Sequence, residues 1–267
     1  RMQEEMSRKF SSGVKREGAV VHFEGDDDDE GGATSGEGEA GARKEEREYV
    51  QIKLEGGIAF GTGEHPTTRL CLDWVRDRVE ERLDDEDGDG TINFLDYGAG
   101  SGVLGIAAAA VVRDRNQTKR RRGSSQAGKS ITTIGVEIDA DAIHIANDNA
   151  LNNNVEMENY LPNAASLDGE ALSVVLRAMQ RRRNRDAIST LPEERNGPMY
   201  DLCAANILAA PLVNLAPTIA SLVRSPGGEI GLSGVLATQA GRVAEAYDEF
   251  FEDVEVAGED GGWVLIT

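Results

Sequence analysis

One stretch of this sequence points to the fold more clearly than any other: Asp96-Tyr97-Gly98-Ala99-Gly100-Ser101-Gly102. It completes an apolar pattern over residues 92–97 that is typical of a buried strand, and it precedes a small-residue pattern over 103–112 that is typical of a helix. A strand, a glycine-rich turn and a helix in this order open the cofactor-binding units of α/β proteins, because glycine lets the backbone approach a ligand closely. The alternative is an ordinary tight turn with no ligand.

The spacing of the three glycines argues against a dinucleotide cofactor. A G-x-G-x-x-G fingerprint that begins at Gly98 requires a glycine at position 103, where this chain has Val103. The sequence also offers no acid–base pair for hydride transfer. An NAD-dependent oxidoreductase is therefore the least favoured of the enzyme classes considered.

The patterns on either side of this stretch alternate between strand and helix, which favours a parallel α/β sheet. An amphipathic helix follows Pro66, with Thr67 and Thr68 as candidate caps. The last two strands are separated by no helix, so an antiparallel hairpin is expected there. The remaining predicted strands are 49–54, 131–138, 200–205, 229–233, 253–256 and 263–267, and the remaining helices begin after Asp139 and cover 211–223 and 238–250.

Composition divides the chain at about residue 48. Residues 1–48 are rich in Asp, Glu, Gly and Ser and are predicted to be a disordered acidic segment or a truncated substrate-recruiting region. Residues 49–267 are predicted to form one catalytic domain. Two charged stretches within it, 113–130 and 168–198, contain runs of arginine and are interpreted as solvated loop insertions.

The overall charge limits the partners that the chain can have. Its 267 residues carry a formal net charge of -20, which argues against direct nucleic-acid binding because such proteins meet phosphates with clustered Lys and Arg. No apolar run approaches the roughly 20 residues that a membrane-spanning helix needs. The two cysteines, Cys71 and Cys203, have no metal-site or disulfide spacing and are interpreted as packing residues, so no metal is expected.

Two acids lie at the end of the second strand of the unit, in Gly135-Val136-Glu137-Ile138-Asp139. A carboxylate at this place can accept hydrogen bonds from both hydroxyls of a ribose, and Glu137 is better placed for this than Asp139, which is expected to cap the next helix. The alternative for Glu137 is an exposed acid at a strand end.

A third strand ends in Asn206, within the stretch Asp201–Leu208 (DLCAANIL). Ligands of open α/β sheets sit at the carboxyl ends of the strands, so Asn206 is expected to face the transferred group, and a helix-capping Asn is the alternative. Before the first strand, the Gly-rich stretch 59–68 is expected to fold over a cofactor, with Thr68 forming a hydrogen bond. His65 in this stretch is interpreted as a structural hydrogen-bonding residue rather than a base.

Together these motifs resemble the PrmA-type ribosomal protein lysine methyltransferases. The most specific features are Gly61-Thr62-Gly63-Glu64-His65-Pro66-Thr67-Thr68 and Ala205-Asn206-Ile207-Leu208-Ala209, and the resemblance covers residues 49–267 apart from the two insertions. It implies a Rossmann-like class I S-adenosylmethionine-dependent methyltransferase fold, with a seven-stranded, mostly parallel sheet and helices on both faces. The charged insertions, Glu64 and Tyr97 resemble eukaryotic, algal-like members of the family.

The resemblance also implies a site and an activity. S-adenosyl-L-methionine would be the cofactor, with contacts at Thr68, Gly98, Gly100, Gly102, Glu137 and Asn206. Asn206 would also be the catalytic residue, positioning a lysine amine of a large-subunit ribosomal protein. The implied location is intracellular, either an organelle (plastid or mitochondrion) or the cytoplasm.

Other functions remain open at this stage. The same fold and cofactor could serve a different acceptor, such as a lysine of the electron-transfer-flavoprotein beta-subunit or a small amine. A non-catalytic cofactor-binding interaction module is the third class, although the presence of Gly100, Glu137 and Asn206 argues against a decayed site.

Overall fold

The computed structural model describes residues 19–24, 49–54, 65–85, 90–123, 128–163 and 188–267. The strands are β1 (Ala19–Glu24), β2 (Tyr49–Leu54), β3 (Thr91–Tyr97), β4 (Ser130–Val136), β5 (Glu158–Tyr160), β6 (Leu202–Asn206), β7 (Glu229–Leu236), β8 (Val256–Asp260) and β9 (Trp263–Ile266). The helices are α1 (Pro66–Asp84), α2 (Val103–Arg121), α3 (Ala140–Asn152), α4 (Ala209–Leu222) and α5 (Ala240–Tyr247).

Within these residues, seven strands form one sheet in the order β5-β4-β3-β6-β7-β9-β8. The strands from β5 to β7 are parallel, and β9 runs antiparallel to both of its neighbours. This confirms the α/β class, the mostly parallel seven-stranded sheet and the terminal hairpin. The chain first moves outward from β3 to β5 and then returns to the other side of β3, so the loops after β3 and β6 border a topological switch point.

Helices cover both faces of this sheet, as expected. Alternate residues of the central strands enter two different cores: Phe94 and Leu202 pack with α1 and α2, whereas Leu95 packs with α4 and α5. The period-2 geometry of a strand therefore supplies both layers from one apolar sequence. Cys71 and Cys203 are buried and unpaired, one in each layer, which agrees with their interpretation as packing residues.

The helix α2 is longer than the sequence indicated. It continues through Arg121, so the prediction of a loop insertion beginning at residue 113 is wrong for the first half of that stretch, residues 113–121. Two contacts hold the added turns: Arg113 donates to the carbonyl oxygen of Asn153 at 2.6 Å, and Arg115 forms an ion pair with Asp84. The basic residues in the last turn also interact favourably with the helix dipole.

The strand β1 lies inside the range 1–48, for which the sequence predicted an acidic segment that was disordered or truncated. It pairs antiparallel with β2, from Ala19 opposite Leu54 to Glu24 opposite Tyr49. Because half of this small sheet lies before residue 49, that boundary divides a paired unit. The other residues of 1–48 lie outside the described residues. Positions 164–187, which include the first part of the second insertion, also lie outside them.

Smaller differences concern element ends. The three-residue strand β5 was not predicted, and β8 begins where the predicted strand 253–256 ends. The helix α5 is shorter than 238–250 at both ends, and a 3-10 turn (Ala237–Gln239) precedes it. Residues 188–198 of the second insertion contain a bridge from Leu161 to Thr190 and a 3-10 turn (Glu193–Arg195). None of the helices described has the length and apolar character needed to cross a bilayer.

Candidate functional site

The candidate site lies at the carboxyl ends of β3, β4 and β6. The glycine turn after β3 is held against the end of β4, because the amides of Gly98 and Ala99 both donate to the carbonyl oxygen of Val136, at 2.7 and 3.1 Å. Glu137 follows that carbonyl directly, and Asn206 is the last residue of β6. The topology therefore gathers three of the predicted motifs at the switch point.

The three glycines of the turn adopt left-handed backbone conformations. The φ angles of Gly98, Gly100 and Gly102 are +85°, +53° and +78°. A β-carbon on Gly98 would lie 2.3 Å from Cγ2 of Ile207, and one on Gly102 would lie 3.1 Å from Cβ of Ala146. Glycine is thus required both by the turn and by the close approach of its neighbours.

The carboxylate of Glu137 is fixed by two main-chain amides. Its Oε2 accepts from Gly100 at 2.9 Å, and its Oε1 accepts from Asp139 at 3.0 Å. Each carboxylate oxygen can accept a second hydrogen bond, so the half-buried group retains acceptor capacity for a ligand. Asp139 caps α3 by accepting from the amide of Asp141, as the sequence predicted.

Asp96 is a buried acid beneath the turn, and it is not among the predicted site residues. Its Oδ2 accepts from the amide of Gly105 in α2 at 3.0 Å. Burial raises the pKa of Asp96 to about 7, the hydrogen bond from Gly105 opposes this rise, and the negative charge of Glu137 adds to it. Its place as the first acid of the motif was the signal that could have identified it.

Thr68 and Asn206 meet across the site. Thr68 lies buried in the first turn of α1, and Nδ2 of Asn206 donates to its Oγ1 at 3.4 Å. Because the amide nitrogen is engaged, this bond influences which way the amide oxygen turns.

The cap of α1 differs from the sequence prediction. Thr67 and Thr68 lie inside the helix, and His65 is the N-cap, with Nδ1 accepting from the amide of Thr67 at 3.4 Å. Its ring also meets the ring of Trp263 edge-on, with centroids 5.1 Å apart. These contacts agree with a structural role for His65. Residues 55–64, which include most of the preceding Gly-rich stretch, lie outside the described residues.

The structure brings five of the six predicted site residues into contact with one another or with a sequence neighbour of another, and the sixth, Gly102, lies against Ala146 of α3. Gly100 is bonded to Glu137, Thr68 is bonded to Asn206, and the space beside Gly98 is filled by Ile207, the neighbour of Asn206. Two apolar side chains beside the same motifs were not predicted: Ile138 and Leu208 are 44% and 68% exposed. Ile138 directly follows Glu137, and Leu208 lies two residues after Asn206, so these positions could have marked both as candidate site residues from the sequence. Among the described residues, no group of three or more His, Cys, Asp or Glu side chains could hold a metal ion.

Comparison with known proteins identifies relatives of this chain. The chain is 38% identical over 218 residues to the ribosomal protein L11 methyltransferase of Pseudomonas savastanoi pv. phaseolicola, covering 82% of this chain and 56% of that protein. It is 36% identical over 217 residues to the protein of the same name from Azotobacter vinelandii, covering 81% and 56%. The chain thus spans about half the length of these curated relatives.

Among solved structures, the chain is similar to the ribosomal protein L11 methylase from Lactobacillus delbrueckii subsp. bulgaricus, with 22% identity, coverage of 76% of this chain and 78% of that chain, and a TM-score of 0.48. The sequence model described as ribosomal protein L11 methyltransferase (PrmA) matches residues 38–117 and 124–267. This match includes every predicted site residue and more than half of the chain, and it shows that the chain belongs to the PrmA family of ribosomal protein L11 methyltransferases.

Proposed function

We propose that this chain is the catalytic part of an S-adenosylmethionine-dependent methyltransferase that acts on lysine amines of a large-subunit ribosomal protein. The observation that carries the proposal is the glycine turn bonded to Glu137, with Thr68 and Asn206 at the adjacent strand end. Family membership supports the reaction class, and the names of the curated relatives support the substrate.

The residues of the site fit the cofactor. Gly98, Gly100 and Gly102 keep the turn clear of side chains, and the N-terminus of α2 can stabilise the carboxylate of a methionine group. Glu137 is held in place with acceptor capacity for the hydroxyls of a ribose. When bound, S-adenosylmethionine would supply an electrophilic methyl group to a deprotonated amine, and S-adenosylhomocysteine would be released.

Asn206 has the central role among the residues of the chain. Its amide oxygen would accept a hydrogen bond from the incoming amine and direct the lone pair of that amine, and Thr68 would hold the amide in this orientation. This is catalysis by positioning, so the side chain need not gain or lose a proton. A lysine is mostly protonated near neutral pH, so the reactive amine is the deprotonated minority form.

The acceptor would be a basic protein. The net charge of -20 favours association with a positively charged partner such as a ribosomal protein and disfavours nucleic acid itself. We keep residues 49–267 as the proposed catalytic domain, extended by the paired strand β1. Its location would be wherever such ribosomal proteins are made, and the bacterial relatives give no support for the organelle that the algal-like features suggested.

The decisive experiment is a calorimetric titration of the purified chain with S-adenosylhomocysteine. Wild type is expected to bind, and Gly100→Val is expected to abolish binding, because a branched side chain would enter the turn that keeps the ligand space clear. The control is Gly241→Ala, where no atom lies within 4 Å of the added β-carbon. A folded wild type that does not bind would overturn the cofactor assignment.

The acceptor is tested by mass spectrometry of a large-subunit ribosomal protein incubated with enzyme and cofactor. Asn206→Ala should lower the rate of lysine methylation by about 100-fold, because it removes the group that positions the amine. Binding of S-adenosylhomocysteine should fall much less. Methylation of a small amine or of an unrelated protein, with none on the ribosomal protein, would overturn the substrate assignment.

A further inference from the structure

The helix α3 carries a stripe of residues that faces the glycine turn on one side and β2 on the other. Ala146, Asn149 and Asn153 are spaced by three and four positions, so they share one face of the helix. All three are buried, with exposed fractions of 1%, 0% and 6%. Two carboxamide side chains in such a place require hydrogen-bond partners, because burying a polar group without them is costly.

The first partner is the glycine turn itself. Nδ2 of Asn149 donates to the carbonyl oxygen of Ser101 at 3.0 Å. About one helical turn before Asn149, Ala146 lies close to Gly102. A β-carbon added to Gly102 would lie 3.1 Å from Cβ of Ala146. The helix α3 therefore contacts two adjacent residues of the turn: Ser101 through a hydrogen bond and Gly102 through an apolar contact.

The second partner is β2. The side chain of Asn153 pairs with the backbone of Lys53 in both directions: its Oδ1 accepts from the Lys53 amide at 2.8 Å, and its Nδ2 donates to the Lys53 carbonyl oxygen at 2.7 Å. The same Nδ2 also donates to the carbonyl oxygen of Asn149 at 2.7 Å. Hydrogen bonds thus run without interruption from β2 through Asn153 to the residue whose side chain holds Ser101.

We propose that Asn149 and Asn153 are positioning residues that hold the glycine turn in its ligand-accepting shape and tie it to β2. The turn has left-handed residues at three alternate positions, and its bonds to Val136 and Glu137 all lie on the β4 side. Asn149 supplies a hydrogen bond from the α3 side. Asn153 makes the position of α3 depend on β2, which precedes the segment leading to Thr68.

The inference rests on the proposed function only for its effect on ligand binding. The shape of the turn is measured without any ligand, by hydrogen–deuterium exchange of the amides of residues 98–102. Asn149→Ala should speed exchange in this segment, and Asn153→Ala should speed it both there and at the amide of Lys53. Unchanged exchange at 98–102 in a folded Asn149→Ala variant would overturn the role of Asn149.

A matched control is Asn116→Ala. Asn116 is a half-buried helix residue whose Nδ2 donates to a backbone carbonyl, that of Lys129, at 2.9 Å. It lies 14 positions after Gly102 along α2, which is about 20 Å at the rise of a helix. Loss of the Asn116 hydrogen bond should lower the free energy of unfolding without changing the hydrogen–deuterium exchange of residues 98–102.

Affinity for S-adenosylhomocysteine is the second measurement. Asn149→Ala should raise the Kd by about tenfold, since a buried hydrogen bond that orders the site is removed. Asn116→Ala should leave the Kd close to that of wild type. If Asn149→Ala does not fold, Asn149→Leu keeps the branched shape and removes the donor without adding a charge, and it should show the same change.

The outcomes separate the two proposals. A wild type that fails to bind would contradict the proposed function, while the exchange experiment would still decide the role of the two asparagines. A wild type that binds, with variants whose Kd and exchange equal those of the Asn116→Ala control, would overturn this inference alone. Faster exchange of Lys53 but not of 98–102 in Asn153→Ala would overturn the connection to β2.

Discussion

Gly98 turns the chain out of β3 with a φ angle of +85° and brings its α-carbon against Ile207. Two independent costs therefore oppose any side chain at this position. One is the strain of a left-handed backbone for a residue with a β-carbon, and the other is the overlap with Ile207.

We predict that Gly98→Ala lowers the free energy of unfolding by about 2–6 kcal/mol, the sum expected for a strained backbone and an overpacked contact. Chemical denaturation followed by circular dichroism measures this. The control Gly241→Ala lies in α5 with open space around it, and it should be neutral or stabilising by up to about 1 kcal/mol. Equal effects of the two substitutions would contradict the prediction.

Asp96 predicts a pH dependence of stability. Its pKa is raised from 3.8 to about 7 in the folded protein, so between these values the folded state holds a proton that the unfolded chain has lost. The contribution of Asp96 to the free energy of unfolding is therefore fully present at low pH. It falls as pH rises, by about 1.4 kcal/mol per pH unit within this window. Asp96→Asn should remove this fall.

The measurement is the free energy of unfolding of wild type and Asp96→Asn from about pH 4 to about pH 7, the interval between the two pKa values. The free energy of unfolding of Asp96→Asn minus that of wild type should increase as pH rises. Glu252→Gln, which changes an exposed carboxylate, serves as the control. A constant difference across the interval would show that Asp96 is ionised throughout.

At the scale of elements, α1 packs directly on β7 through Trp74. A β-carbon on Gly231 would lie 2.5 Å from Cε3 of the Trp74 ring, and Trp74 is only 6% exposed. Gly231 has ordinary strand backbone geometry, so space alone excludes a side chain here. This contact sets how closely α1, and with it Thr68, approaches the sheet.

We predict that Gly231→Ala destabilises the protein by about 1–3 kcal/mol because it overpacks this contact. Combining it with Trp74→Leu should cost less than the sum of the two single changes, since the smaller side chain makes room for the methyl group. The double-mutant cycle is measured by chemical denaturation. Gly197→Ala, with no atom within 4 Å, is the control, and strict additivity of the pair would argue against direct packing.

At the scale of the whole molecule, charge is the dominant feature. A protein with a net charge of -20 attracts a basic substrate through long-range electrostatic forces. Dissolved salt screens these forces. The proposed cofactor, in contrast, would bind within the glycine turn beside the carboxylate of Glu137. The two binding events should therefore respond differently to ionic strength.

We predict that raising NaCl from about 50 mM to about 300 mM raises the KM for a basic ribosomal protein by about tenfold, because screening weakens attraction between separated charges. The Kd of S-adenosylhomocysteine should change by less than about twofold under the same conditions. Steady-state assays and calorimetry provide the two values. Equal salt dependence of both would show that net charge does not guide the substrate.

Local patterns predicted much of the fold and site. The alternating glycines after a buried strand, the apolar runs of β3, β4 and β6 and the acid after β4 are all local features, and they identified Gly98, Glu137 and Asn206 as candidates. Predictions went wrong where a distant contact decides. The helix α2 extends past residue 113 because Arg113 reaches Asn153, and β1 forms because β2 supplies its partner.

The sequence by itself determined the α/β class, the positions of most elements and the residue types at the site, because periodicity and glycine spacing are properties of neighbouring residues. Only the tertiary structure decided that Glu137 is bonded to Gly100, that Asn206 is bonded to Thr68 and that α3 links the turn to β2. These contacts join residues from 37 to 138 positions apart. Their formation depends on strand order and helix packing, which no short stretch of sequence contains.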